Sequence, residues 1–391
     1  MNENVPGIAL GVQGAQSSTS AARGLARYVV DAATAIVERT PWAVAQLSYS
    51  REAAPPDFLQ RLPDEIPRAD DATRPTWSGP IVYHVLSAFE LEPLDRVWPL
   101  WAQGTDVALV VTVHDLIPFI YADRYLHYPR IQRWHYPRLP LLSVADALIA
   151  DSAHTARDIT ERLAIDEERI FVAGLDASPS FRPADRNRDE VFRALQAALH
   201  EIRPGFLLYV GGVEYRKNLQ RLLSAYARLA PDERRNHQLV IAGKHVGRER
   251  RQLRRMLAET RLGADVLVTG PVSDAALVGL YQACHLFVFP SQYEGFGLPA
   301  LEALRCGAAV VVADRSSLRE VVTDPEARFD PESVDAIAEV LRRAATDGGF
   351  VARLRARAPK EAARFSWDLS TAEMLRAYGC AAAIASMRAR T

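Results

Sequence analysis

The sequence predicts an α/β protein built on two doubly wound parallel sheets. Short Val- and Ile-rich runs, too short for helices, alternate with longer helix-patterned stretches along nearly the whole chain. The alternation stops once, at the charged, proline-bracketed stretch 182–204, and then starts again. The length of 391 residues exceeds what one hydrophobic core usually supports.

In the first half the runs are "GIALGV" (7–12), "WAVAQL" (42–47), "IVYHVL" (81–86), "VALVVTV" (107–113), "ALIA" (147–150) and "IFVAG" (170–174). Helix patterns lie between them, as at 24–38 and 128–145. Residues 51–76, rich in proline and charge, read as a mobile surface loop. After the break come "FLLYVGG" (206–212), "QLVIAG" (238–243), "VLVTG" (266–270), "LFVFP" (286–290) and "AAVVVA" (308–313), then an almost wholly helical pattern from Ser333 to Arg388. The expected division is a first domain over 1–185, a linker over 186–204, a second domain over 205–365 and a C-terminal helix over 366–391 that crosses back to the first domain. Two such domains facing a central cleft bind ligands at the carboxyl ends of their strands.

Apolar residues make up 49% of the chain and charged residues 24%, with a net charge of -1. That balance argues against a nucleic-acid partner held by bulk charge. Cys284, Cys306 and Cys380 are widely spaced and show no zinc-binding pattern. The first residues lack a basic region followed by a long apolar run, and no run approaches the ~20 residues of a membrane span. A cytoplasmic protein is expected, with peripheral contact at the inner face of the plasma membrane as an option. The stretch "YLHYPRIQRWHYPRLP" (125–140) mixes aromatic and basic residues. It suits acceptor sugars or a membrane surface, against the plainer reading of a helix lining the cleft or a partner surface.

The chemistry concentrates in "SQYEGFGLPALEALRCGAAVVVAD" (291–314). A strand ends and Glu294 follows. Gly295, Phe296 and Gly297 turn the chain, and Leu298 and Pro299 open a helix whose first turn is expected to carry Glu302. A helix N-terminus offers unpaired N–H groups and about half a positive charge, and glycines let a phosphate approach. Two carboxylates beside an anion site suit a ligand that is anionic in the middle and hydroxyl-rich at both ends, as a nucleotide-sugar is. The plain alternative is a surface glutamate and a helix-dipole glutamate.

Glu294 and Glu302, spaced Glu-X7-Glu inside this segment, resemble the hallmark of glycosyltransferase family 4, retaining enzymes of GT-B architecture with two Rossmann-like domains. "LLYVGGVEYRKNLQRLLSAYARL" (207–229), "VTVHDLIP" (111–118), "ADALIADSAHTARDI" (145–159) and "FSWDLSTAEMLRAY" (365–378) are also similar to family segments. The resemblance implies that Lys217, with Arg216 beside it, binds the donor phosphates, where cations offset charge on a departing diphosphate. Gly212 stands where many relatives carry an arginine, and Arg216 is expected to substitute. His114 matches a histidine near the transferred sugar, and Asp115 is read as orienting its loop. Gly24 matches a loop glycine under the diphosphate, although the second loop glycine of relatives is Ala26 here. The resemblance thus implies that His114, Glu294, Lys217 and Arg216 are catalytic and that Gly24, Gly212, Gly295, Phe296, Gly297, Leu298 and Glu302 bind the donor.

No Gly-X-Gly-X-X-Gly follows the first strand, no phosphate-loop motif of the Gly-X4-Gly-Lys-Ser/Thr type occurs, and no Asp-X-Asp occurs. Neither a cofactor nor a metal is therefore expected. The expected function is transfer of a hexose, with mannose from GDP-mannose as the leading guess, to a glycan or lipid-linked saccharide in polysaccharide biosynthesis. The first domain is expected to bind acceptor and the second donor. A nucleotide-sugar epimerase or phosphorylase on the same fold, and a non-catalytic nucleotide-sugar binding module, are the alternatives.

Overall fold

A computed structural model describes residues 6–16, 24–89 and 93–390. The chain divides into two compact units, Met1–Asp176 with Phe365–Thr391, and Ala177–Arg364.

The first unit holds a seven-stranded sheet: β1 (Gly7–Gly11), β2 (Val44–Tyr49), β3 (Arg68–Asp70), β4 (Ile81–Val85), β5 (Val107–Val113), β6 (Ala147–Ala150) and β7 (Ile170–Val172). Their spatial order is β3-β2-β1-β4-β5-β6-β7, and every pairing is parallel. The second unit holds β8 (Leu207–Val210), β9 (Leu239–Ala242), β10 (Val266–Gly270), β11 (Leu286–Phe289), β12 (Val310–Ala313) and β13 (Arg328–Phe329), ordered β10-β9-β8-β11-β12-β13 and also all parallel. β1, β2, β4, β5 and β6 and, in the second sheet, β8, β9, β11 and β12 are buried almost throughout, which is why they read as continuous apolar runs. In each sheet the strand order reverses at one place, between β1 and β4 and between β8 and β11. Loops at such a switch point diverge and leave a crevice at the strands' carboxyl ends.

The structure corrects several expectations. Residues 51–76 are not a free loop. Phe58, Leu59, Leu62 and Ile66 are buried, and β3 pairs with β2 at the sheet edge. An edge strand of Arg-Ala-Asp carries no apolar run to betray it. The stretch 186–204 is not a linker. Its helix Arg188–Ala198 buries Val191 and Leu195 and packs on the helix Asp274–Ala283 of the second unit. Phe181 lies against Tyr281 (ring centroids 6.0 Å apart), and Arg188 Nε donates to the Ala283 carbonyl (3.0 Å). The boundary therefore falls at 176/177, ahead of that helix. The pattern at 128–145 is broken into Pro129–His135, a 3-10 turn Tyr136–Arg138 and Leu139–Val144. Pro137 and Pro140 each withhold a helical N–H.

The last helix, Trp367–Arg388, belongs to the first unit and lies along β4 to β7 and the helix Gly24–Arg39. Its buried face of Ala377, Ala381, Ala382 and Ala385 lets it approach the sheet closely. Arg388 Nη1 pairs with the buried carboxylate of Asp146 (2.7 Å) and Nη2 reaches the Val107 carbonyl (3.0 Å). At mid-helix, Tyr378 Oη is 2.7 Å from His84 Nδ1, while His84 Nε2 is 2.8 Å from Thr112 Oγ1. No helix among the described residues is long and apolar enough to cross a membrane.

His84 is wholly buried in β4, and that burial, with the charge of His114, pulls its pKa down to about 3. The unfolded chain takes up a proton near its ordinary value of about 6.5, where the folded protein does not. His84 therefore contributes fully above that value, and its contribution is lost at about 1.4 kcal/mol per pH unit as pH falls toward the folded value. His84→Gln should flatten the acid-side slope of unfolding free energy against pH by nearly one proton, as read by urea denaturation across the window from about pH 6 to about pH 5. An unchanged slope would mean that His84 is already charged in the folded protein.

Candidate active site

The residues that the sequence singles out in the second unit meet at its switch point. β8 ends at Val210. The chain passes Gly211 and Gly212, where the Gly212 carbonyl accepts from Tyr209 Oη (2.6 Å), and closes a 3-10 turn over Tyr215–Lys217. β11 ends at Phe289 and leads to Ser291 and Glu294. Because β8 and β11 are adjacent, residues 77 and 78 positions apart in sequence come into contact.

Glu294 is the hub. Oε2 accepts from Arg216 Nη1 (2.6 Å), Oε1 accepts from Lys217 Nζ (2.7 Å), and the Ser291 hydroxyl also donates to Oε1. All three charged side chains are largely buried, at 9% exposure for Glu294, 18% for Arg216 and 11% for Lys217. Burial pushes the Glu294 pKa up, but the two cations and the donated hydrogen bonds outweigh it and bring the carboxyl down to about 2. Lys217 moves the other way from a simple ion pair. Burial and the neighbouring Arg216 guanidinium pull it below the ordinary lysine range in spite of Glu294. Two cations share the one buried carboxylate, with the half-buried Glu214 as a further negative charge close to Lys217, and little water is present to screen the group. Lys217 Nζ also sits 5.0 Å above the Phe289 ring centre.

The loops carrying these charges are tied together. The Arg216 carbonyl accepts from Gln292 N (2.7 Å) and Ser291 Oγ (3.1 Å). Asn218, in the left-handed region at φ 58°, donates from Nδ2 to the carbonyls of Pro290 (3.0 Å) and Pro331 (2.8 Å). Asparagine tolerates that conformation better than most residues, and its amide spans the two loops. Arg216 and Lys217 therefore precede their helix, Leu219–Tyr226, in a braced turn and do not stand in its first turn.

After Glu294, the buried Gly295 and Phe296 lead to Gly297 at φ 104°, which caps the helix Leu298–Arg305. Ser317 Oγ lies 2.9 Å from the carbonyls of both Glu294 and Phe296, and Glu294 N donates to Ser316 Oγ (3.0 Å). A Cβ at Gly297 would lie 2.6 Å from Leu318 Cδ2, so glycine is required twice over, by φ and by space. Leu298 at the helix start is half-buried.

Glu302 departs from expectation. It is the fifth residue of this helix, past the first turn, and only 2% exposed. Its Oε2 accepts from the buried Tyr281 hydroxyl (3.0 Å). A helix-dipole role does not suit a carboxylate beyond the first turn.

Two other candidates lie in the first unit. His114 follows β5, and Asp115 caps the next turn by accepting from Ile117 N (2.8 Å), as its loop-orienting reading requires. Gly24 opens the helix Gly24–Arg39 and is exposed, while the preceding residues 17–23 lie outside the described residues. Sequence reasoning missed Ser291, Asn218, Ser316, Ser317 and Tyr281. Ser291 and Asn218 stand inside the motifs already singled out; the other three act across the fold and leave no local signal.

Residues 194–363 match a family profile described as glycosyl transferases group 1. The serotype-specific mannosyltransferase WbdA of Escherichia coli is 32% identical over 290 residues, covering 74% of this chain and 35% of that protein, so the chain spans 35% of that relative's length. The O-antigen chain mannosyltransferase B of Escherichia coli is 32% identical over 270 residues, 69% of each protein. Among solved structures, sucrose-phosphate synthase from Thermosynechococcus elongatus is similar with a TM-score of 0.70 over 95% of this chain and 98% of that one, at 21% identity. Anabaena HepE, solved in complex with UDP and glucose, gives 0.69 over 94% and 97%, at 15% identity. At these identities the two structures bear on the fold alone, and with the two parallel sheets they give the GT-B architecture of two Rossmann-like domains.

Removing the hub charge leaves two buried cations facing each other. Glu294→Gln should cost about 3 kcal/mol of stability, the scale of breaking a buried ion pair by deleting one partner. Because the folded carboxyl sits near 2 and the unfolded one at 4.5, the contribution is whole above the unfolded value and is lost as pH falls toward the folded one. Urea denaturation of both proteins should show a constant gap at neutral and mildly acid pH, narrowing only below the unfolded value. A gap that widens on acidification would refute the assigned charge state.

Proposed function

Because the chain belongs to the group 1 glycosyl transferases, we propose that it is a retaining hexosyltransferase that moves mannose from GDP-mannose to a hydroxyl of a glycan or lipid-linked saccharide. The observation that carries this reading is the Arg216–Glu294–Lys217 cluster at the switch point of the second sheet, which holds two cations side by side on one buried carboxylate. The names of the relatives, a serotype-specific mannosyltransferase and an O-antigen chain mannosyltransferase, support mannose and polysaccharide assembly.

In this reading the second unit binds the donor. The diphosphate lies against Arg216, Lys217, the Gly212 turn and the loop Gly295–Phe296–Gly297–Leu298. Glu302, steadied by Tyr281, accepts from the ribose hydroxyls once the side chain is reached. Glu294 holds the two cations in place and meets the transferred sugar with its remaining acceptor capacity. As the bond from the anomeric carbon to the diphosphate oxygen breaks, negative charge grows on the leaving group, and Arg216 and Lys217 stabilise it there. Neutralisation comes from these side chains, so neither a metal nor another cofactor takes part. Acceptor binding is assigned to the first unit, where the resemblance to the family makes His114 a catalytic residue and Gly24 a donor-binding one, and the protein works in the cytoplasm, with peripheral contact at the inner face of the plasma membrane.

Incubation with GDP-mannose and a mannoside acceptor in excess EDTA should yield product with the donor's anomeric configuration, read by proton NMR of the anomeric signal. Inverted product, or activity that manganese or magnesium alone restores, would overturn the reading.

Lys217 is assigned to the transition state and not to uniform binding. Lys217→Ala should lower kcat on the order of 100- to 1,000-fold, the loss typical of one preorganised charge contact, with a much smaller rise in KM for donor. Normal turnover at saturating donor would reduce Lys217 to a ground-state contact.

A further inference from the structure

His114 stands at the end of β5, between two strands whose ends it touches. Its Nδ1 lies 2.7 Å from Asp151 Oδ2, just past β6. Its Nε2 lies 3.0 Å from the Leu86 carbonyl, just past β4. A carbonyl can only accept, and an ionised carboxylate can only accept. Both ring nitrogens therefore carry protons. The other arrangement, a neutral ring beside a protonated Asp151, places the proton on the weaker base of the two.

We propose that Asp151 is a positioning residue that holds His114 as a doubly protonated imidazolium, so that the ring at the carboxyl edge of the first sheet has no lone pair with which to act as a general base. The histidine one strand away makes the contrast. His84 also has both nitrogens engaged, but its partners are the hydroxyls of Tyr378 and Thr112, which can donate or accept, so a neutral ring is satisfied there. The two neighbouring histidines thus take opposite charge states: complete burial and hydroxyl partners leave His84 neutral, whereas the His114 side chain, 19% exposed, faces a carboxylate and a carbonyl.

The other groups facing His114 agree. Asp115 adjoins it in sequence and adds a second negative charge nearby. The Tyr28 ring packs edge-on at 4.5 Å, and burial holds its hydroxyl neutral. Thr155 Oγ1 donates to the His114 carbonyl (3.4 Å) and accepts from Ser152 Oγ (3.2 Å). Burial opposes the charge, but the carboxylates and the Leu86 carbonyl outweigh it, so the imidazole is raised above its ordinary value. For its part, Asp151 is buried, and its Oδ1 has no hydrogen-bond partner among the described residues. His114 is the counter-charge that this carboxylate needs.

The protonation claim stands on this geometry. Its bearing on turnover rests on the transferase reading above, where a locked imidazolium, its charge balanced by Asp151, cannot take the acceptor's proton. The test is nitrogen-15 NMR of the full-length protein labelled at histidine, with the His114 signals assigned by their loss in His114→Gln. In the wild type both His114 nitrogens should show protonated shifts at neutral pH, with a midpoint above that of an ordinary histidine. In Asp151→Asn the midpoint should fall by about 1 to 3 pH units, the effect of removing an adjacent opposite charge. The alkaline limb of kcat should fall with it, and Asp151→Glu should restore both in part. A wild-type His114 present as one neutral tautomer at neutral pH overturns the proposal without any variant. Protonated shifts in a protein with no transferase activity on any nucleotide-sugar would uphold the imidazolium and overturn the transferase reading instead.

Discussion

One carboxylate facing two buried cations sets the terms for the second unit. Glu294 cannot be placed by its own loop alone, because its partners come from another strand of the sheet. The switch point makes β8 and β11 neighbours, and the loops beyond them are laced by Asn218, Ser291 and Gln292. Without that lacing, three buried charges would lose their mutual hydrogen bonds and keep their desolvation cost. The glycine turn after Glu294 belongs to the same constraint. Gly297 at φ 104° is what lets the chain reverse into a helix directly after the hub.

The first unit uses the same architecture with a different charge economy. Its carboxyl edge carries histidines on adjacent strands, and burial and partner type together tell them apart: complete burial among hydroxyls leaves His84 neutral, while a carboxylate and a carbonyl make the less buried His114 a cation. The neutral one is also structural. Through Tyr378 it joins the last helix to β4 and, through Thr112, to β5, so the helix that returns from the end of the chain is keyed to the sheet by a polar contact as well as by its alanine face.

The buried strands were legible because parallel strands covered on both faces must be apolar throughout. β5 and β6 coincide with the runs read from sequence, and β10 does so too although it lies at the sheet edge and is only half-buried. The edge strands β3 and β13 were not legible, since an edge needs no such run. At 182–204 charge and proline suggested a linker, but Val191 and Leu195 supply a stripe sufficient to dock a helix. The motif residues Arg216, Lys217 and Glu294 were visible singly. Their mutual pairing was not, because local spacing reports neighbours on one element and says nothing of contacts across 77 residues. Glu302 shows the reverse limit: its spacing from Glu294 was plain, yet its depth in the helix and its tie to Tyr281 depend on where the helix begins.

These charge states bear on where a proton can go. Glu294, with its carboxyl near 2 and both oxygens engaged by cations and a serine, is a poor base at neutral pH. His114, protonated on both nitrogens, has no lone pair to offer. Of the side chains that the sequence marks as catalytic, the remaining pair, Arg216 and Lys217, are cations that Glu294 holds as donors. On the transferase reading proposed above, an acceptor hydroxyl that attacks the sugar would lose its proton to something other than these four, and the departing diphosphate is the group that gains basicity at that moment. Cations arranged against a growing negative charge, with no base among them, suit a reaction in which the leaving group serves as the base.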